Sequence, residues 1–597
     1  MNTLTTIDPT ATAPSPQLLA KPFRFYMRKH PREFVIGVVA LFFTNLLDIL
    51  TPLALKAGVD AIEAKSPTGL YQAIGAFVGL MAGVTVFRYL WRIHFGAFQH
   101  SVAENLRNRL FAKFSELGPS FYQTKPVGEL MSLITNDVNA FRMAVGPGIL
   151  IFLDAVFYIV MILPVMVTLS WDWTWRTLIL LPLVPFFMRK MESLIAKLFT
   201  IQQEKLAAVS ATSAEIVSGI RVIKGFAQED NQAKFFNERS RDYENACNHM
   251  ARVGSAFEPV MQSSVALGSV ILLYFCTDPV VTGAISLGTF VAFHEYIRRM
   301  VWPMSAIGLS TSWIEQGKAS FVRIRDLLKV EPDVPDTGTV ALEKFESLEV
   351  RGLTYRYTGA PKNALCDINF TIRAGETIGI VGPVGAGKTT LLQLLCRLYP
   401  VEKNTILVNG RDVGDYTRTS LVRTVSLVPQ DAFLFSDTIA ENIAYGFDAF
   451  PGMDPVERVA GVVNIDHEIN EIPERYQAFL GERGVNLSGG QKQRLTIARA
   501  LIRTSPVLML DDSLSAVDGK TEKAITQALR EARERNPSQT VVLVSHRLAT
   551  LKHADRILVL RDGRIEAVGN HSALLESSPT YRHLHELQTA QPREVSL

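Results

Sequence analysis

The sequence predicts a multidomain membrane protein, in which a six-helix, all-α transmembrane domain with long cytosolic helical extensions precedes an α/β domain. Hydrophobic residues make up 48% of the 597 residues and charged residues only 20%, a balance typical of membrane proteins. The first half contains runs of about twenty apolar residues, the length that crosses the hydrocarbon of a bilayer. The second half alternates short β-branched runs with helical patterns, which indicates a parallel sheet flanked by helices.

Charge and cysteine content argue against several classes of protein. The net charge of +3 gives no indication of a nucleic-acid partner. The 4 cysteines lie far apart and form no C-x-x-C pair, which argues against a zinc site or a disulfide framework and fits a reducing compartment. Residues 1–20 lack an apolar core of signal-peptide length, so we expect a disordered cytosolic tail there.

The predicted transmembrane domain covers residues 21–329. A cluster of basic residues, from Lys21 to Arg32, precedes its first span and places the N-terminus in the cytoplasm by the positive-inside rule. Among the ionisable residues of the spans, Asp48 and Asp154 are candidates for lining a substrate pathway. The six predicted spans are 34–55, 71–91, 149–169, 175–191, 259–276 and 280–306.

The connections between these spans alternate in length. Short connections fall on the predicted outer side, whereas the inner connections, 92–148 and 192–258, are long, polar and helical in pattern. We therefore expect the membrane helices to continue into the cytoplasm. The pattern breaks near 119–137 and again near 215–230, which makes both stretches candidates for contact with a soluble domain. An ordinary helix–helix turn is the alternative interpretation of each break.

A linker rich in Pro, Asp, Thr and Gly, residues 330–345, precedes the predicted α/β domain at 346–597. That domain contains a glycine-rich stretch that fits G-x-x-x-x-G-K-[ST]. The stretch lies between an apolar run and a leucine-rich helical segment. In this motif backbone N–H groups wrap a phosphate, the lysine reaches the β/γ-phosphates and the hydroxyl binds Mg²⁺. The sequence thus predicts a P-loop nucleotide-binding domain whose phosphate loop consists of Gly382, Pro383, Val384, Gly385, Ala386, Gly387, Lys388, Thr389 and Thr390.

Polar residues follow three further apolar strands. Asp511 and Asp512 end the strand at 507–510, where Asp511 would hold Mg²⁺ and Asp512 would orient or deprotonate the attacking water. Gln430 can reach a metal or a water through its amide, and His546 can hydrogen-bond the γ-phosphate. The predicted Mg²⁺ ligands are therefore Thr389, Gln430 and Asp511. The predicted catalytic residues are Asp512, His546 and Gln430.

A second anion site is predicted at Ser488, Gly489, Gly490 and Gln491, where a serine and paired glycines expose backbone donors at a helix start. One subunit has no obvious need of two γ-phosphate sites. We therefore expect this one to face a nucleotide held by another subunit.

Together these motifs resemble the ATP-binding cassette (ABC) transporters, specifically the exporters that fuse six membrane helices to one nucleotide-binding domain. The resemblance covers nearly the whole chain after residue 20. It implies that ATP and Mg²⁺ are bound, that Tyr357 stacks on adenine, and that Gln430 couples the nucleotide state to the membrane domain. It also implies that His546 is the switch histidine and that Ser488–Gln491 is the signature that closes over the partner's ATP.

The resemblance carries further implications for assembly. The stretch from Ser515 to Asp518 would lie across a dimer interface, and the breaks near 119–137 and 215–230 would be the coupling regions. The chain would be half of a dimer that holds two ATP molecules between its nucleotide-binding domains. Its location would be a bacterial inner membrane, in contact with membrane lipid and a small amphipathic substrate.

One position departs from the pattern of this family. After Asp511 the family has Glu as the catalytic carboxylate, whereas this chain has Asp512. Losing one methylene retracts the carboxylate by about 1.5 Å, a misplacement that lowers a rate by on the order of 10²-fold. The sequence therefore predicts a slow ATP site and resembles the degenerate subunit of heterodimeric multidrug-resistance-like exporters. The alternatives are a homodimeric lipid flippase or exporter, and an ATP-gated channel or regulatory subunit on the same scaffold.

Overall fold

The computed structural model describes residues 16–178, 183–282, 285–481, 484, 486–515 and 519–589. These residues form two compact units. The first unit contains the described residues up to Ser115 together with Val127–Val330, and the second contains Glu116–Pro126 and the described residues from Glu331 onward. Each unit is described by itself below.

The described part of the first unit is helical. Two π turns, Leu133–Asp137 and Ala144–Gly148, lie within the continuous helical run Val127–Leu169. The other helices are Pro16–Ala20, Pro22–Lys29, Pro31–Glu63, Pro67–Glu116, Trp171–Leu178, Leu183–Ser218, Ile220–Gly225, Glu229–Gly254, Phe257–Val281 and Leu287–Leu328.

Among the described residues, 3 helical segments are long and apolar enough to cross a membrane: Pro31–Glu63, Pro67–Glu116 and Val127–Leu169. They contain the first three predicted spans. The fourth predicted span includes residues 179–182, which lie outside the described part of the chain. The helix Leu287–Leu328, which contains most of the sixth, carries Glu295, Arg298 and Arg299 inside its apolar stretch, and these charges lower its mean hydropathy.

Two boundaries differ from the sequence predictions. Residues 16–20, predicted as part of a disordered tail, form a short helix. The predicted outer connection at 277–279 is wrong, because these residues lie inside the helix Phe257–Val281. Hydropathy continues through this region, but the next helix begins only at Leu287, where the Ser286 hydroxyl accepts a hydrogen bond from the Thr289 N–H and caps its first turn.

Polar contacts join helices of the first unit within its apolar interior. The Arg299 guanidinium lies 2.9 Å from an Asp48 carboxylate oxygen and 2.8 Å from a Glu295 oxygen. The Tyr158 hydroxyl donates to Asp48 over 3.3 Å, and the Asn45 amide donates to Asp154 over 2.9 Å. Both acidic side chains that the sequence offered for a substrate pathway are therefore engaged by neighbouring helices.

The described residues of the second unit form ten strands in two sheets. The smaller, antiparallel sheet has the order β2-β1-β4-β5, and the larger sheet has the order β10-β9-β3-β8-β7-β6. Strands β3, β6, β7, β8 and β9 pair in parallel, as the alternating pattern predicted. The strands are β1 Ser347–Tyr355, β2 Leu365–Arg373, β3 Thr377–Val381, β4 Ile406–Val408, β5 Arg411–Asp412, β6 Val425–Val428, β7 Val507–Asp511, β8 Thr540–Val544, β9 Arg556–Arg561 and β10 Arg564–Gly569.

Every residue of the central strands β7 and β8 is buried, which indicates that helices cover both faces of the larger sheet there. The helices of this unit are Pro119–Thr124, Lys388–Leu395, Arg418–Thr424, Ile439–Ala444, Met453–Val462, Asp466–Glu471, Gly489–Leu501, Gly519–Arg535, Leu548–Leu551, His571–Ser577 and Pro579–Thr589.

The segment Glu116–Pro126 belongs to the second unit, although the first unit precedes and follows it in the chain. Its helix Pro119–Thr124 starts with proline at the first turn, where no backbone N–H is needed. The Gln123 amide donates a hydrogen bond of 2.6 Å to the hydroxyl of Tyr399, which is almost fully buried. This contact fixes the segment on the sheet domain.

Arg299→Ala tests the polar cluster of the first unit. The substitution leaves the Asp48 carboxylate, only 20% exposed, without its cation. We expect a loss of about 3–5 kcal/mol of stability, the range for breaking one partner out of a buried ion pair. Thermal unfolding of the detergent-purified protein measures this, with Arg298→Ala as the control because that guanidinium is 60% exposed. Equal unfolding temperatures for the two variants would contradict the prediction.

Candidate functional site

The predicted site residues lie at one edge of the larger sheet. Because β6, β7, β8 and β3 are parallel neighbours, their carboxyl ends meet at the same edge. The phosphate loop follows β3, His546 lies just after β8, Asp511 ends β7, and Gln430 lies just after β6. Such an edge is where ligands bind in open α/β sheets.

The geometry of the phosphate loop requires its glycines. A Cβ atom on Gly382 would lie 2.1 Å from the carbonyl oxygen of Leu560. Gly387 has a φ of 96°, a conformation open to glycine, and its Cβ would lie 2.7 Å from the carbonyl oxygen of Ala364. The loop therefore approaches its neighbours more closely than any side chain allows, and it leads directly into the helix Lys388–Leu395.

Lys388 and Thr389 extend from this loop toward the carboxylates. The Lys388 ammonium donates to the carbonyl oxygens of Gly382 over 2.9 Å and Pro383 over 2.8 Å. Burial lowers the pKa of Lys388, while the charges of Asp512 and Asp511 oppose that shift. The Thr389 hydroxyl donates to Asp511 Oδ1 over 3.2 Å.

The Asp511 and Thr389 oxygens suit a divalent cation. Burial raises the pKa of Asp511, and the neighbouring Asp512 raises it further, while Thr389 and Lys388 lower it. Among the described residues, no group of three or more His, Cys, Asp or Glu side chains is arranged so that it could hold a metal ion by itself. Mg²⁺ is a good fit because it binds proteins through one or two oxygen ligands and completes its shell with water and substrate phosphates. Thr389 and Asp511 would hold it, where it would neutralise phosphate charge.

Asp512 and His546 contact each other across the ends of β7 and β8. The His546 backbone N–H donates to Asp512 Oδ1 over 3.3 Å, and the imidazole Nε2 lies 3.8 Å from Oδ2. Asp512 has a positive φ of 44° and is 8% exposed. The Asp512 carboxylate is therefore turned inward and lies beside His546.

Two further predicted residues differ in their surroundings. Tyr357 is half-buried, and its hydroxyl lies 3.0 Å from the Thr390 hydroxyl, which places the ring beside the phosphate loop. Gln430 is exposed on the turn after β6. Its side chain is thus accessible at the edge of the site.

The predicted signature forms the start of the helix Gly489–Leu501. The Ser488 hydroxyl accepts from the Gln491 N–H, and the Gln491 side chain accepts from the Ser488 N–H, which is a complete capping box. The Gln491 amide also donates to Glu468 over 2.7 Å, and Arg494 binds the other oxygen of Glu468 over 2.6 Å. These contacts fix the helix start from within the chain and leave Ser488 and Gly489 exposed. Asp518, predicted for the dimer interface, lies outside the described residues.

The sequence analysis missed a second group of residues around the His546 turn. Arg547 hydrogen-bonds Glu522, and its guanidinium also donates to the Ser515 carbonyl oxygen over 3.3 Å. Thr550 donates to Glu522 as well. The arginine follows His546 directly in sequence, but nothing in the sequence pattern relates it to Glu522 on another helix.

Comparisons with known proteins agree with this geometry. The family model of the ABC transporter transmembrane region matches residues 34–304, and that of the ABC transporter matches residues 365–515. A probable multidrug resistance ABC transporter ATP-binding/permease protein of Bacillus subtilis, YheI, is 34% identical over 572 residues, which cover 95% of this chain and 97% of that protein. The chain belongs to the ABC transporter family.

Other relatives of this ABC transporter carry different names. An ATP-dependent lipid A-core flippase of Haemophilus influenzae is 30% identical over 563 residues, 93% of this chain and 94% of that protein. A bacterial Atm1-family ABC exporter solved with ATP bound has a TM-score of 0.78 and 24% identity, covering 94% of this chain and 99% of the other. The protein is therefore an integral membrane ABC transporter of exporter-type fold, with a transmembrane domain followed by an ATP-binding domain.

Gly382→Ala tests the close packing of the phosphate loop in this transporter. Because the added Cβ would overlap the Leu560 carbonyl oxygen, the loop must shift, and we expect a loss of about 1–3 kcal/mol of stability together with weakened ATP binding. Thermal unfolding and nucleotide titration measure the two effects. Gly461→Ala is the control, since a Cβ there meets no atom within 4 Å and the residue lies inside a helix. Wild-type ATP affinity in Gly382→Ala would refute the steric argument.

Proposed function

We propose that this chain is one subunit of a heterodimeric ABC exporter that moves amphipathic or lipophilic compounds out of the cytoplasm. Its own ATP site hydrolyses slowly, and its signature completes the active site on the partner. The observation that carries the proposal is Asp512, which follows the Mg²⁺-binding Asp511 where a longer carboxylate would be needed to reach the attacking water.

The surroundings of Asp512 support a slow site. Its carboxylate is nearly buried and accepts the His546 N–H, so little freedom is left for it to move outward. The missing methylene costs about 1.5 Å of reach, and a misplacement of that order costs on the order of 10²-fold in rate. Residues that bind the phosphates, Lys388 and Thr389, do not depend on this reach. ATP binding is therefore expected to be intact while cleavage is slow.

The signature supports the other half of the proposal. Ser488 and Gly489 are exposed, and the capping box holds the backbone donors of the helix start in place. Exposed N–H donors at a helix N-terminus bind phosphate through their charge and direction. A second subunit that brings its nucleotide to this surface would find a preformed anion site.

The proposed topology has six spans with both termini in the cytoplasm. The basic residues on the helix Pro22–Lys29 support the cytoplasmic position of the N-terminus by the positive-inside rule. The membrane helices would extend beyond the bilayer, a view supported by the 50 residues of the helix Pro67–Glu116. Export is the direction we propose because the fold is of the exporter type.

The coupling regions we propose are the stretches near 119–137 and 215–230, and the first of them overlaps the segment Glu116–Pro126 of the second unit. Support comes from a short contact route inside the second unit. Gln123 bonds Tyr399, and the Tyr399 ring lies edge-on to Tyr357 at a centroid distance of 5.5 Å. Tyr357 in turn bonds Thr390 of the phosphate loop. A change at the nucleotide would thereby reach the segment that leads back to the membrane helices.

A homodimeric lipid flippase is the second candidate, and the name of the Haemophilus influenzae relative favours it. In that case Asp512 must serve both sites, so the chain purified alone would hydrolyse ATP at a normal rate. A transport assay distinguishes an exporter from an ATP-gated channel. Vanadate-sensitive, uphill movement of an apolar compound by the reconstituted transporter would exclude the channel.

Asp512→Glu tests the proposed slow site. Restoring the methylene should raise ATP cleavage at this chain's own site by on the order of 10²-fold, since the carboxylate regains its reach. Asp512→Asn is the matched variant, and it should change the overall turnover of the heterodimer little. Phosphate release by the purified transporter, with and without its partner, measures both. Brisk turnover by the wild-type chain alone would refute the heterodimer proposal.

Tyr399→Phe tests the proposed coupling route. The substitution removes only the hydroxyl that accepts from Gln123, so we expect ATP affinity to be kept while stimulation of ATPase activity by transported compounds falls. Gln123→Ala should have the same effect. The double variant should be no worse than either single variant, because all three variants lose the same hydrogen bond between Gln123 and Tyr399. Additive losses would show that the two residues act separately.

A further inference from the structure

The last described helix of the chain, Pro579–Thr589, contacts the turn that carries the switch histidine. The Gln588 carboxamide bridges this turn with two hydrogen bonds. Its Nε2 donates to the His546 carbonyl oxygen over 2.5 Å, and its Oε1 accepts from the Leu548 N–H over 2.9 Å. The Gln588 side chain thus bonds the backbone on both sides of Arg547, at the residue before it and at the residue after it.

The helix that carries Gln588 is anchored on the core. Tyr581 is fully buried, and its hydroxyl lies 2.7 Å from His571 Nδ1. Leu584 packs against the hydrophobic core of the domain. Residues 581, 584 and 588 share one face of a helix by their spacing, so the anchored face also presents Gln588 to the turn.

The opposite side of the turn is held as well. Arg547 bonds Glu522 and the Ser515 carbonyl oxygen, and the His546 N–H donates to Asp512. The His546 peptide is therefore fixed between the carboxylate of the active site and the C-terminal helix. Removing the helix contact would take away the restraint on one side of the turn and weaken the placement of His546 beside Asp512.

We infer that Gln588 is a positioning residue for ATP cleavage, which holds the His546 backbone so that its imidazole meets the γ-phosphate. The inference rests on the proposed role of His546. The Gln588 side chain bonds the His546 carbonyl oxygen and the Leu548 N–H, both backbone atoms of the turn, and neither belongs to the phosphate loop. It should therefore affect the rate of cleavage rather than nucleotide affinity.

Gln588→Met in the complete transporter is the test. Methionine has similar length and helix propensity but no carboxamide, so it removes both hydrogen bonds and leaves the helix intact. A photoreactive azido-ATP labelled on its γ-phosphate marks the chain that holds it, and loss of label under single-turnover conditions reports cleavage at this chain's own site. We expect the rate to fall at least about fivefold, the smallest effect that the loss of two net hydrogen bonds would have. Affinity for a non-hydrolysable ATP analogue should stay within about twofold.

Two further variants sharpen the test. Gln588→Glu keeps the acceptor for Leu548 but places an anion against the His546 carbonyl oxygen, so its rate should fall at least as far. Gln527→Met is the matched control, because Gln527 is an exposed helix residue that bonds only Glu531 over 3.2 Å in the contacts described for it. Its rate should equal that of the wild type.

Three results would overturn the inference: an unchanged rate in Gln588→Met, an unchanged rate in Gln588→Glu, or a rate that falls together with nucleotide affinity and unfolding temperature. The last would mean that Gln588 only stabilises the domain. The test compares variants with the wild type, whereas the slow-site proposal concerns the absolute rate of the wild type. A failure of the inference about Gln588 can therefore be told apart from a failure of the slow-site proposal.

Discussion

Parallel pairing of β3, β8, β7 and β6 is the constraint on which the nucleotide site depends. Residues far apart in the chain reach the same edge only because each strand enters the sheet in the same direction. The fully buried residues of β7 and β8 hold that register, since a slip of one residue would move Asp511 and Asp512 away from the phosphate loop. Burial of apolar side chains thus determines where the charged groups meet.

The same edge concentrates charge that is costly to bury. Lys388, Asp511 and Asp512 all lie largely out of water, and each modifies the pKa of another. Mg²⁺ would balance the two carboxylates, and substrate phosphates would balance the ammonium of Lys388. The same buried strands therefore form the apolar sheet and position the charged groups of the site. In the function we propose, the length of a single side chain, that of Asp512, would then separate binding from cleavage.

Where the signal is local, the sequence predicts where residues lie in the fold. The phosphate loop, the signature and the strand-end carboxylates are short patterns whose spacing reflects backbone geometry, and the structure brings the loop, Asp511, Asp512 and His546 to one sheet edge. Sequence reasoning failed where a boundary depends on a capping side chain rather than on hydropathy, and where a contact depends on distant residues. Hydropathy alone could not place the helix start at Leu287, which the Ser286 cap determines. Gln588 and Glu522 carry no local pattern, because their partners are defined only by the folded chain.

The helix Pro67–Glu116 has a mechanical consequence. At about 1.5 Å per residue, its 50 residues form a rod of about 75 Å. The hydrocarbon layer is only about 30 Å thick, so in the proposed topology more than half of the rod would project beyond it. A stiff lever of this kind turns a small tilt at one end into a displacement of several ångströms at the other. A modest rearrangement at one end of the helix would thereby displace its other end without any part of the helix bending.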